Sequence, residues 1–195
     1  MHTLRIMVDG HELISTAAHP VAWLSWDVIT CLQEEHYAGI SVSGSVEIAE
    51  GKYDMLDWLV FHPLPAGADL ELQILPGAGS TPFRERRTPA EQEALHQAFL
   101  RAKVSGEFAA ARIRVPPHYR LSCSLVLEAP DHEPLLASTN DGIDTLSSSG
   151  MWSSGHKSDH WRLHLGTVPA KGLPGAAAIS FWCPIREPVH LKLGT

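Results

Sequence analysis

Residues 40 to 46 read Ile-Ser-Val-Ser-Gly-Ser-Val, with Ile40, Val42 and Val46 on one side and Ser41, Ser43 and Ser45 on the other. A period of two cannot serve a helix, whose faces repeat about every 3.6 residues. The segment is therefore a strand with one dry and one wet face, the mark of an antiparallel sheet. Gly44 interrupts the dry side and reads as a bulge or a point of close approach. The same alternation returns in Leu24, Trp26 and Val28, in Leu70, Leu72 and Ile74, in Leu121, Cys123, Leu125 and Leu127, and in Trp161, Leu163 and Leu165. Shorter β patterns occupy 4–8, 13–17, 112–115, 135–137, 145–149, 177–183 and 189–193, and Asp9-Gly10 suits a tight hairpin.

Two segments depart from this pattern. In residues 53 to 61 Met55, Leu56 and Leu59 fall at helical spacing and Pro63 blocks continuation, so a short helix is expected to lie on the sheet. The second expected helix starts at Thr88, with Pro89 in the first turn and Glu91 at the capping-box position, and ends near Gly106. Its stripe of Leu95, Ala98, Phe99 and Ala102 predicts one-sided packing against the rest of the protein. Before it, residues 76 to 87 are rich in Gly, Pro, Ser and Arg, and Arg84, Arg86 and Arg87 read as part of a solvated linker. Residues 147 to 158 have the small polar composition of an exposed loop.

The halves share words in the same order. Residues 35 to 37, Glu-His-Tyr, match 159 to 161, Asp-His-Trp. Gly44-Ser45-Val46 matches Gly166-Thr167-Val168, and Leu64-Pro65 with Leu70, Leu72 and Ile74 matches Leu173-Pro174 with Ile179, Phe181 and Cys183. The expected fold class is α+β, mainly antiparallel β, with two helices and two related β-rich units packed about a pseudo-twofold axis. Residues 1–75 would form the first unit, 76–118 a linker with the capped helix, and 119–195 the second.

A chain of 195 residues with 44% apolar and 19% charged residues can build an ordinary core. Its formal charge of -7 argues against nucleic acid, which requires a basic face. No apolar run reaches membrane-span or signal-peptide length, so a soluble, cytoplasmic protein is expected. Cys31, Cys123 and Cys183 form no paired motif and read as buried apolar residues in a reducing compartment. The first 75 residues, with the Leu-Ser-Trp-Asp-Val segment at 24–28, the strand at 40–46 and the 64–74 ending, resemble small uncharacterised bacterial β-rich proteins of toxin and immunity neighbourhoods. That resemblance implies a toxin or effector as partner and carries no catalytic residues with it.

Reactive signatures are sparse. His156, His160 and His164 are spaced by four, yet Ser153, Ser154, Gly155 and Ser158 oppose a helix there. On a strand, His160 and His164 share a polar face with Arg162, whose charge disfavours a dication, and the third ligand of tetrahedral zinc is lacking. His36 and His160 each follow a carboxylate that a strand would point to the opposite face, which suits strand-entry hydrogen bonding better than base catalysis. Neither a nucleophile elbow nor a phosphate loop is present. Trp152, in the Ser/Gly-rich stretch, is the expected exposed aromatic. The resulting expectation is a non-catalytic protein that binds another protein and needs no cofactor, with Trp152, His36, His160, Arg162 and His164 as candidate contacts. A metal-assisted hydrolase using the histidine strand and a carbohydrate-binding module using an exposed tryptophan are the alternatives. Oligomeric state is not legible.

Overall fold

The structure is a computed structural model and describes residues 2–16, 21–33, 36–105, 124–138, 143–155, 157–169 and 178–194. Its elements run β1 (His2–Val8), β2 (His11–Ser15), β3 (Val21–Gln33), β4 (His36–Ala49), β5 (Lys52–Leu64), β6 (Asp69–Pro76), β7 (Glu85–Arg87), α1 (Pro89–Ser105), β8 (Ser124–Glu128), β9 (Leu135–Ser138), β10 (Ile143–Ser153), β11 (His160–Pro169), β12 (Ala178–Pro184) and β13 (Val189–Gly194). They form a six-stranded sheet, β2-β1-β6-β13-β8-β9, and a seven-stranded sheet, β12-β11-β10-β3-β4-β5-β7. Every neighbouring pair of strands within them is antiparallel. The protein is mainly antiparallel β, and each sheet draws strands from both ends of the chain. No described helix is long and apolar enough to cross a membrane.

Alternation decides the core. Leu4 and Ile6, Leu70, Leu72 and Ile74, and Val189, Leu191 and Leu193 line the inner face of the six-stranded sheet. Leu24, Trp26 and Val28 face them from the other sheet with Ile40, Val42, Trp161, Leu163 and Leu165, and all belong to one buried cluster. Each such side chain contributes about 1.5–3 kcal/mol by leaving water. Trp26 meets Trp161 edge-on, with ring centroids 6.4 Å apart and planes at 67°. Gly150, opposite Trp26 on β10, leaves room for that indole: a Cβ there would lie 2.7 Å from Trp26 Cε2. The expected hairpin at Asp9-Gly10 is present, with φ of 51° and 78°, values that glycine and aspartate tolerate better than most residues.

Several expectations are corrected. Residues 53 to 61 belong to strand β5, so among the described residues α1 is the single helix where two were expected. Shifts in the β4–β5 register displace the apolar residues of β5 from simple alternation and mimic helical spacing. Residues 85 to 87, assigned to a linker, form edge strand β7 on β5. Arg86 and Arg87 there pair with the buried carboxylates of Asp54 and Asp57. Those partners lie about 30 residues away and leave no local trace. Residues 147 to 153, expected in an exposed loop, belong to β10, because its small residues fit the crowded centre of the sheet between β3 and β11.

Two of the shared words do not correspond in space. Gly44 lies opposite Leu24 on the inner side, whereas Gly166 lies opposite Ser147 with its open side toward His164 on the outer face. Strand β6, which carries Leu70 to Ile74, lies in one sheet and β12, which carries Ile179 to Cys183, in the other. The strand expected at 112–115 lies outside the described residues.

The cap at the start of α1 forms as expected. Glu91 accepts from the Thr88 backbone N–H at 2.8 Å, while the Glu91 N–H donates to Thr88 Oγ1 at 3.4 Å. The expected one-sided packing does not form: Leu95, Phe99, Leu100 and Val104 are all exposed. The helix touches mainly β5 and β7, near its own start. A good cap specifies where a helix begins and not where it lies.

Candidate binding site

The outer face of the seven-stranded sheet carries the wet half of each alternating strand. Pairing aligns Ser41, Asp27, Ser149, His164 and Ser180 in one row across β4, β3, β10, β11 and β12. The adjacent row is Ser43, Ser25, Met151, Arg162 and Trp182. Between them opens a cleft of about 370 Å³ whose lining includes Trp23, Asp27, Met151, Arg162, His164 and Ser180. That volume lies within the usual range for small-molecule sites. Its walls are apolar at Trp23 and Met151, and its floor is rich in hydroxyls.

The electrostatics are mixed. Asp27 is solvent-exposed, yet the neighbouring side chains partly desolvate its carboxyl and raise it above the ordinary 3.8, while His164, when charged, draws it back down. His164 Nδ1 lies 3.0 Å from Ser180 Oγ. That bond orients the ring. Arg162 is exposed, and no described ion pair reaches it. The cleft thus offers an acceptor-only carboxylate and a donor-only guanidinium on either side of groups that do both. At the far rim Lys157 Nζ sits 4.8 Å from the centroid of a Trp182 ring.

Of the residues expected from sequence, Arg162 and His164 meet in this cleft. His160 shares their side of β11, where Nδ1 lies 2.9 Å from Asp159 Oδ1. That adjacent carboxylate therefore does reach its histidine, because Asp159 sits in the turn before the strand, and the contact holds its own pKa below the ordinary value. His36 begins β4, but its side chain lies outside the described set, as does the whole of His156. Among the described residues no three His, Cys, Asp or Glu side chains gather as a metal site.

Trp152 requires correction. It is 2% exposed, its ring stacks near His2 with centroids 4.5 Å apart, and its Nε1 donates to Ser158 O at 2.8 Å. Strand alternation, Leu146, Ser148, Gly150, Trp152, turns it inward. Sequence reasoning instead missed Trp23 and Asp27 as a site. Their shared face on β3 was legible, but their proximity to β11 depends on β10 lying between those strands.

A second surface is α1, which exposes Leu95 and Phe99 on one side and Leu100 and Val104 on the other. Comparison with protein-family models, with curated proteins and with solved structures returned no match.

Proposed function

We propose that the chain is a non-catalytic protein-binding protein, and that α1 is the element a partner grips. The observation that carries the reading is the exposure of Leu95 (50%) and Phe99 (51%), one turn apart on one side of a 17-residue helix anchored near its first turn. Apolar side chains presented in succession on a helix are how a partner groove is filled. A toxin or effector of bacterial origin remains the proposed kind of partner, on the resemblance of the first 75 residues. The test is a quantitative pull-down with the intact chain and a Leu95→Gln/Phe99→Gln variant. A stoichiometric partner retained by the first and lost by the second, at equal melting temperature, is expected. Failure of the intact chain to retain any partner would sink the proposal.

We also infer that the two halves derive from one duplicated unit. Reading β1–β6 as β8–β13 converts β2-β1-β6 into β9-β8-β13 and β3-β4-β5 into β10-β11-β12, and these are the two halves of the observed sheet orders, with β7 added at one edge. The related strands meet at β6 with β13 and at β3 with β10, where Glu71 faces His190 and Asp27 faces Ser149. An axis through those pairs would exchange Leu24, Trp26 and Val28 with Leu146, Ser148 and Gly150, all inward-facing. The cleft on the outer face lies over this seam.

A further inference from the structure

The cleft on the seven-stranded sheet is separate from α1 and its chemistry points elsewhere. Asp27 to His164 spans two strand spacings, about 10 Å, which accommodates one six-membered ring and its substituents. Hydroxyls at Ser149 and Ser180 can each donate and accept, as can a neutral imidazole, and a ligand that does the same leaves none of them unpaired. A purely apolar ligand would desolvate all of them without replacement. Trp23 supplies the flat apolar wall on which the C–H face of a ring can rest.

Arg162 narrows the class. It is an exposed cation without a described ion pair, on a chain of net charge -7, and its fork of donors matches a carboxylate. Asp27, on the opposite side, accepts from hydroxyls and repels a multiply charged anion such as a phosphate ester. We propose that the cleft binds an acidic sugar: a polyhydroxylated ring resting on Trp23, its hydroxyls shared by Asp27, Ser149 and Ser180, and its single carboxylate held by Arg162.

The experiment is titration calorimetry of the full-length chain with methyl β-D-glucuronide and N-acetylneuraminic acid, using methyl β-D-glucopyranoside as the neutral control. At least one acid is expected to bind, at least tenfold more tightly than the neutral glycoside, and to alter tryptophan fluorescence. Arg162→Gln should abolish the preference for the acid, and Trp23→Ala should weaken at least tenfold whichever acid binds. Arg162→Gln lies on the exposed face and keeps the fold, so loss of preference cannot be mistaken for unfolding; circular dichroism verifies this for each variant. Absence of binding by both acids, equal binding of the neutral glycoside, or acid binding unchanged in Arg162→Gln each overturns the proposal. None of these outcomes bears on α1, so the protein-binding reading stands or falls separately.

Discussion

Replacing Gly150 with Ala adds a single methyl group where the sheet has no space for one. That methyl would approach Trp26 Cε2 to 2.7 Å, about 0.7 Å inside the 3.4 Å at which ordinary contact begins, and it would come nearer still to Nε1. Gly150 has no positive φ, so the backbone accepts alanine and the whole cost is packing. The indole cannot swing away, because it is 1% exposed and braced edge-on against Trp161. Overpacking of this kind costs about 1–3 kcal/mol. In a chain of this size that lowers Tm by about 2–12 °C. Urea unfolding followed by far-UV circular dichroism would measure it, with near-UV signal reporting on the tryptophans. The control is the same substitution in a Trp26→Leu background, where the ring is gone and the added methyl should cost below about 0.5 kcal/mol. Equal cost in both backgrounds, or no cost in the parent, would falsify the packing of β3 against β10.

Four further outcomes follow from the geometry. Asp57→Asn should destabilise the protein by roughly 1–3 kcal/mol and free β7, less than a fully buried pair because the Arg87 side chain is 27% exposed and partly screened; denaturant titration and amide exchange at residues 85 to 87 would read both effects. Thr88→Ala should remove about 1 kcal/mol of helix stability, visible as faster exchange in the first turn of α1 with the sheets unchanged. The Asp27 carboxyl is raised in the folded state, so folding takes up protons and stability from this group falls as pH rises from the ordinary 3.8 through the raised value; Asp27→Asn should therefore gain stability relative to the parent at pH 7 and gain less at pH 4, and the reverse order in urea midpoints would contradict this. Burial pushes the Cys183 thiol up to about 11, so iodoacetamide at pH 8 should leave it unlabelled by peptide mass spectrometry until denaturant is added.

The strands were legible because a residue's face is a local matter. Alternation at 24–28, 40–46, 70–74 and 161–165 identified inward and outward sides before any partner strand was known, and Thr88 with Glu91 marked the helix start by contacts within one turn. The same local logic failed at β5, where register shifts imitate helical spacing, and at β7, whose charges are neutralised by Asp54 and Asp57. It failed at Trp152, since composition alone cannot distinguish a serine-rich loop from a serine-rich central strand.

For the cleft, sequence determined which side chains of β3 and β11 point outward: Trp23, Asp27, Arg162 and His164 each follow from the parity of their own strand, whereas Met151 lies in the stretch that read as a loop. Which of them become neighbours was decided by the tertiary structure alone. Strand order places β10 between β3 and β11, and register sets Asp27 beside Ser149 and Ser149 beside His164. The β3–β10 pairing joins distant parts of the chain, Asp27 with Ser149, and it is selected by how the inward tryptophans and leucines of both sheets fill one core. The site on the wet face is thus positioned by packing on the dry one.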